Sequence, residues 1–322
     1  MYDFEDLFVF DIANNHQGDL SHAINIVSEI GEICNKNRLK GGFKLQFRDL
    51  DSFIHPDYIN NKTNPNIKRF LSTKLTWDQF KQIRIAIKKN GMKAICTPFD
   101  EPSVDKILEM DFDIIKVASC SANDWPLMEK VSSSGKPVII STGGLNIKEI
   151  DQIVSFCDHK GMDYSIMHCV SIYPTPIEKV QLGFIKTLKK RYPKIEIGWS
   201  THEDPNNTDI VKIAYALGAR IFERHVGIEN DKYTLNTYSS NPNQIKSWIQ
   251  SYYDSKSIIG GDNKKIAYEE KIALEKLKRG IFVSKNLKSG DQLKTQDVFF
   301  AIPFLENQIN SGLWNNNKIV LK

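Results

Sequence analysis

KAICTPFDEPSVDKILEMDFDIIKVA, residues 93–118, reads as one strand, helix, strand unit. The runs 93–97 and 114–118 are short and apolar, as parallel strands covered on both faces are, and residues 103–110 between them carry apolar side chains at helical spacing. Each run closes on a residue that burial alone does not explain, Thr97 in the first and Lys116 in the second. An ammonium pointing into a covered sheet is costly without a partner. The strand ends are therefore where chemistry is to be sought.

Outward from this unit the rhythm repeats. Apolar runs lie at 7–13, 42–47, 93–97, 114–118, 137–142, 164–170, 195–200 and 220–226, and residues 22–34, 77–89, 103–110, 147–157 and 209–217 between them have helical spacing. Eight such units over about 250 residues is the number and length of a closed (β/α)₈ TIM barrel. An open doubly wound sheet is the alternative, but it would more often carry a Gly-rich turn after its first strand, and DIANNHQGD is not one. Past residue 260 the pattern changes. A charged helical stretch, 269–278, gives way to RGIFVSKNL, the turn Lys288-Ser289-Gly290-Asp291 and VFFAIP, which read as short strands and turns. The expected division is a catalytic barrel at 1–260, a linker helix at 261–278 and a small β-rich domain at 279–322. So short a domain is thin for an autonomous core and is expected to pack on another surface or a second subunit.

The 322 residues are 41% hydrophobic and 25% charged, within the range of soluble globular chains. Basic and acidic residues, 43 and 39, are interspersed, leaving a net charge of +4 and no extended basic face, so nucleic acid is not an expected partner. No apolar run reaches the length of a membrane span, and the acidic start MYDFEDLFVF does not resemble a signal peptide, so a cytoplasmic location is expected. Five separated cysteines, Cys34, Cys96, Cys120, Cys157 and Cys169, fit reduced thiols rather than a disulfide framework or a zinc site.

In a barrel the polar residues closing the strands converge on one mouth. They are Asp11 with Asn14, Asn15 and His16; Lys44 with Gln46; Thr97; Lys116 with Ser119; Ser141 with Thr142; His168 with Ser171 and Tyr173; Ser200 with His202; and Glu223 with His225. Either lysine alone would most simply be a salt bridge inside the barrel. Two together with Thr97, Ser119, Ser141 and Ser200 favour a phosphate or carboxylate ligand. His202 and His225 close successive strands with no cysteine beside them. They suit an open site for a divalent ion, with His168 able to replace either.

At these strand ends the chain resembles the sialic acid synthase family, with its legionaminic, pseudaminic and related nonulosonic acid synthases. The resemblance spans nearly the whole chain. It rests on ANNHQGD, FKLQF, CTPFD, KVAS followed by NDWPL, ISTGG, HCVSIYPTP, GWSTHE and ERHV in order, while RGIFVSKNLKSGDQLKTQDV is similar to the start of that family's antifreeze-like (SAF) domain, which is expected here in truncated form.

The resemblance implies an enzyme that condenses phosphoenolpyruvate with the aldehyde of an aldose, an alkyl-transferring synthase of the EC 2.5.1 type making a 3-deoxy-2-ulosonic acid and phosphate. Carried over, phosphoenolpyruvate is bound by Lys44, Thr97, Lys116, Ser119, Ser141, Ser171 and Ser200. The metal falls to His202 and His225, with manganese first and magnesium, cobalt or zinc as alternatives. Asp11, Lys116 and Tyr173 are the catalytic candidates. The acceptor side comprises Asp11, Gln46, Ser121, Tyr173 and Asn236. A domain-swapped homodimer is implied, the small domain of one subunit covering its partner's site. The chain departs from the family at Asp11 and Ser121, each in place of Glu, at Ser171 in place of Asn, at Asn236 in place of Asp, and at Ile302-Pro303 in place of Arg-Pro. These departures fall largely on the sugar side, which puts N-acetylmannosamine in doubt as the acceptor. Two other readings stand: a metal-dependent barrel aldolase or lyase that does not use phosphoenolpyruvate, and a non-catalytic sugar-binding paralogue.

Overall fold

The computed structural model describes residues 2–60, 63–291 and 294–315. Gln292 and Leu293 of the tail motif, and residues 316–322 of the expected small domain, lie outside the described residues. The eight apolar runs form eight strands: β1 (Leu7–Asp11), β2 (Lys40–Phe47), β3 (Lys93–Pro98), β4 (Ile114–Val117), β5 (Val138–Ser141), β6 (Tyr164–Cys169), β7 (Ile197–Thr201) and β8 (Ile221–His225). Neighbours pair in parallel in chain order, and β8 returns to pair with β1, Leu7 opposite Ile221 and Asp11 opposite His225, so the sheet is a closed barrel.

The helices between the strands are set by local signals. Trp77–Lys89 starts at a capping box in which Thr76 Oγ1 accepts from the Gln79 N–H at 3.2 Å and Gln79 Oε1 accepts from the Thr76 N–H at 2.8 Å. Such a cap is worth about 1 kcal/mol. The helix then buries Phe80, Ile83 and Ile87 against the barrel. Ile147–His159 repeats the device with Asn146 and Glu149 and buries Ile150, Ile153 and Cys157.

Strand parity divides the barrel residues between two cores. Phe8, Phe10, Phe43, Trp199 and Phe222 face the helix layer. Leu7, Val9, Ile95, Ile114, Ile139, Met167 and Ile221 fill the interior, with Phe4 and Tyr2 against them. Two glycines make that interior possible. A Cβ on Gly42 would come within 2.4 Å of Ile95 Cδ1, and one on Gly198 would meet Ile221 Cβ and its carbonyl oxygen at 2.8 Å. One pleat further along each strand the inward position turns polar: Asp11, Lys44, Thr97, Lys116, Ser141, Cys169, Ser200 and Glu223. The polar layer at the C-terminal mouth is thus a direct product of the two-residue period.

The chain divides into two compact units, Met1–Ile259 and Gly260–Lys322. The second contains the helix Tyr268–Glu275 and two antiparallel strands, β9 (Gly280–Val283) and β10 (Val298–Ala301), on which the Phe282 and Phe299 rings stack at 5.5 Å. Among the described residues no helix is long and apolar enough to cross a membrane.

Candidate active site

A cavity of about 640 Å³ opens at the C-terminal mouth. Of the residues singled out in the sequence, Asp11, Lys44, Gln46, Lys116, Ser119, Ser141, Ser171, Tyr173, Ser200, His202 and His225 line it. Thr97, Ser121 and Asn236 do not. Thr97 faces the interior by parity, and its buried hydroxyl has no hydrogen-bond partner. Ser121 is buried in the short turn after β4, its hydroxyl 3.8 Å from Cys120 Sγ. Asn236 lines a neighbouring hollow with Asn14 and Asn15.

The two lysines are ion-paired inside the barrel. Lys44 Nζ lies 2.9 Å from Asp11 Oδ2 and 2.7 Å from Glu223 Oε1, and Lys116 Nζ lies 3.4 Å from Glu223 Oε2 while donating to Ser141 Oγ at 2.5 Å. Two carboxylates therefore balance two ammonium groups. Burial opposes charge on Lys44, but Asp11 and Glu223 together raise its pKa above the ordinary lysine value. Burial also dominates at Lys116, where Glu223 resists it and the Lys44 ammonium adds to it, so its pKa falls below the ordinary value. Burial likewise opposes ionisation of Asp11, yet Lys44, His225 and the Ala13 N–H outweigh it and bring the carboxyl down to about 2. In this arrangement Asp11 is ionised and Lys116 is the cation more ready to give up its proton.

Ser119 and Ser171 meet over a glycine. Ser119 Oγ accepts from the Gly143 N–H at 2.9 Å, and a Cβ on Gly143 would fall 2.4 Å from Ser171 Oγ and 2.9 Å from Ser119 Oγ. The first glycine of ISTGG is what lets the two hydroxyls approach one backbone.

His202 and His225 come together as the strand order demands, their ring centroids 5.2 Å apart. His202 Nδ1 is 3.0 Å from the Val170 carbonyl oxygen, which can only accept, so Nδ1 carries a proton; burial opposes charge on this ring, but Cys169 and the Val170 carbonyl outweigh it and raise its pKa above the ordinary histidine value. Burial pushes His225 down to about 4, against the pull of the Asp11 carboxylate 3.5 Å from its Nε2, so this ring is neutral. Its Nδ1 is buried without a hydrogen-bond partner. Two adjacent imidazoles, one of them neutral with a buried orphan nitrogen, fit a divalent transition ion that would displace the proton from the other. Among the described residues no three or more His, Cys, Asp or Glu side chains gather into a ready-made metal cage. An ion here would complete its shell from water and substrate oxygens. His168, the third imidazole expected at the mouth, is excluded by parity. It faces the helix layer, packs on Phe184 and Trp199, and has Nε2 3.0 Å from the Val180 carbonyl oxygen. The inward residue of β6 is Cys169.

Beyond the strands, the Tyr173 ring sits 4.3 Å from His202, and Tyr238 lies 5.2 Å from Tyr173 and 5.4 Å from His225. Asn236 holds the loop that carries Tyr238. Its side-chain oxygen accepts from the Tyr238 and Ser239 N–H groups, and its amide donates to Asn15 Oδ1 at 3.1 Å. Gln46 donates to Asp11 Oδ2 at 3.1 Å and accepts from Arg48 at 3.1 Å. Several lining residues carried no role in the sequence reading: Glu223, which binds both lysines, and Arg48, Arg69, Cys169 and Tyr238. For Glu223 the signal was present, since ERH places it one pleat before His225.

A cationic and acidic layer at the C-terminal mouth of a (β/α)₈ barrel, with two imidazoles beside it, is the arrangement the motifs foreshadow. The chain belongs to the NeuB family, which it matches over residues 42–264. It is 30% identical to an uncharacterised protein of Methanocaldococcus jannaschii over 90% of this chain and 82% of that one. It is 27% identical to the human N-acetylneuraminate-9-phosphate synthase over 90% and 81%. A crystal structure of a candidate spore coat polysaccharide biosynthesis protein E from Chromobacterium violaceum superposes with a TM-score of 0.93 at 40% identity, covering 98% of this chain and 97% of that one.

Proposed function

We propose that the protein condenses phosphoenolpyruvate with the open-chain aldehyde of a modified aldose, giving a 3-deoxy-2-ulosonic, nonulosonic-type acid and inorganic phosphate. The observation that carries this reading is the pair Lys44 and Lys116, buried among Ser119, Ser141, Ser171 and Ser200 in the same cavity as His202 and His225. Membership of the NeuB family and the likeness to a named N-acetylneuraminate-9-phosphate synthase support it.

In the reaction the C2–C3 π pair of the enol forms the new bond to the aldehyde carbon, and the aldehyde oxygen gains a proton. Water adds at C2 and loses a proton, and collapse to the ketone expels phosphate by C–O cleavage. Lys44 and Lys116 hold the carboxylate and phosphate and balance the moving charge. Asp11, ionised at rest, accepts the proton of the attacking water. The phosphate binds in competition with Glu223, so part of its binding energy is spent displacing a carboxylate from Lys116. Tyr173 covers the histidines and orients the acceptor. A divalent ion, manganese first, held by His202 and His225 would supply Lewis acidity toward the aldehyde oxygen or the attacking water.

The acceptor differs from N-acetylmannosamine. Asp11, which lines the cavity, is shorter than the Glu that the resemblance implies, and Ile302 lacks the charge it implies, whereas Ser121 and Asn236 lie outside the cavity lining. A site that loses a hydrogen-bond partner for a substituent can lose about 10⁴ in discrimination. Deoxy, diacetamido or non-acetylated aldoses are the preferred class. Phosphate release measured side by side with N-acetylmannosamine and a panel of such sugars tests this, and the highest specificity constant for N-acetylmannosamine would overturn it. We further read the region that opens at residue 279 as antifreeze-like and the active form as a domain-swapped homodimer. The strand pair β9 and β10 and the RGIFVSKNL motif support the first, and a monomer by light scattering in an active sample would contradict the second.

A further inference from the structure

The inner four charges of the cavity cancel, but its outer wall carries two more cations with no carboxylate to match. Arg48 follows β2, and Arg69 lies on the helix Pro65–Ser72; both line the cavity. Both guanidinium groups lie over one ring, Arg48 at 4.1 Å and Arg69 at 5.6 Å from the Phe70 centroid, and Arg48 is also 3.6 Å from Phe99. Among the described residues neither forms an ion pair. The hydrogen bonds they make go to neutral amides, Arg48 to Gln46 Oε1 and Arg69 to Asn66 Oδ1. Arg48 Nε is buried and has no partner at all. The two carboxylates that act on Arg48 through space are engaged elsewhere: Asp11 pairs with Lys44 at 2.9 Å, and Asp100 accepts from the Ser103 and Asp49 N–H groups. Burial, with Arg69 adding repulsion, pulls the Arg48 pKa down to about 10. A sandwiched guanidinium with an orphan donor, next to a second like charge, is costly unless an anion arrives to meet both.

We propose that Arg48 and Arg69 form an anion subsite for the acceptor, so that the sugar condensed here carries a phosphate or a carboxylate away from its aldehyde carbon. This rests on the condensation reading above and narrows its acceptor class. Three features separate the subsite from the phosphoenolpyruvate position: the lysines project from β2 and β4, the arginines come from the segment after β2, and Gln46 stands between Asp11 and Arg48. Phe70 and Phe99 hold the Arg48 guanidinium between them, and the exposed Phe53 beside them offers the apolar face of a sugar a surface to lie on.

The test compares a neutral aldose with the same aldose phosphorylated, and with the same aldose oxidised to its uronic acid, in wild type and in Arg69→Gln, Arg48→Gln and Arg48→Lys. Arg69 is exposed, so its substitution leaves the fold in place. In wild type the specificity constant for one anionic form should exceed that for the neutral sugar by at least tenfold, and which form wins identifies phosphate or carboxylate. In Arg69→Gln and Arg48→Gln that ratio should collapse through the KM for the acceptor, with Arg48→Lys recovering part of it. A ratio near unity in wild type, or substitutions that raise the KM for phosphoenolpyruvate and leave the acceptor ratio alone, would overturn the proposal while leaving the condensation reading intact. If no sugar yields phosphate the condensation reading fails. Calorimetric titration of the phosphorylated and oxidised aldoses then decides the subsite, which falls if neither binds more tightly than the neutral sugar.

Discussion

Replacing Lys116 with methionine separates a phosphate-binding lysine from a structural brace. The residue is 1% exposed, its ammonium 3.4 Å from one Glu223 oxygen and 2.5 Å from Ser141 Oγ. Breaking a buried ion pair costs about 3–5 kcal/mol, and because Glu223 keeps Lys44 at 2.7 Å the loss of stability should lie near the lower figure. Phosphoenolpyruvate should lose about 2 kcal/mol or more of binding, roughly a 30-fold rise in Kd. Glu223→Gln provides the contrast. It removes the carboxylate with which the ligand competes, so it should lower stability yet tighten phosphoenolpyruvate binding severalfold. The assay is isothermal titration of phosphoenolpyruvate into each variant at one ionic strength, with thermal unfolding run alongside. Unchanged affinity in folded Lys116→Met, or an equal loss of affinity in both variants, would refute the assignment and leave the four charges as a brace between strands.

Two further outcomes follow from the same geometry. His202→Ala or His225→Ala should abolish binding of manganese by calorimetry and metal-dependent turnover while far-UV circular dichroism stays native; full activity of either variant after exhaustive chelation would contradict the two-imidazole site. Gly198→Ala places a methyl 2.8 Å from the Ile221 backbone oxygen in the packed interior, so unfolding should be easier by about 1–3 kcal/mol in denaturant titration, and an unchanged midpoint would show that the interior has room to spare.

The barrel was legible because parallel strands covered on both faces appear as uninterrupted apolar runs, and every run became a strand within a few residues of the expected bounds. The same property hid the side chains' directions. In a run with no polar alternation, parity has to be counted from a known inward residue, which is why His168 could be read as a mouth residue although Cys169 is the one that faces inward. Glu223 was visible as a strand-end acid, but its partners were not, since Lys44 and Lys116 are 179 and 107 positions away and meet it only on closure. The outer wall was the least legible part. Arg48, Arg69, Phe53, Phe70 and Phe99 come from the segment around the short helices Leu50–Phe53 and Pro65–Ser72 and from the end of β3, where no period marks a face. Asn236 was legible as a departure from the resemblance. Its work, holding the loop that brings Tyr238 over His225, depends on the turn it closes.

A condensation that breaks the C–O bond of phosphoenolpyruvate fixes the fate of the bridging oxygen. With phosphoenolpyruvate labelled with ¹⁸O between C2 and phosphorus, manganese, and the aldose panel including the phosphorylated and oxidised forms, mass spectrometry follows both products. The expected products are a new ulosonic acid three carbons longer than the sugar and inorganic phosphate that carries the label. No such acid from any sugar, or label retained in the acid, would contradict the condensation.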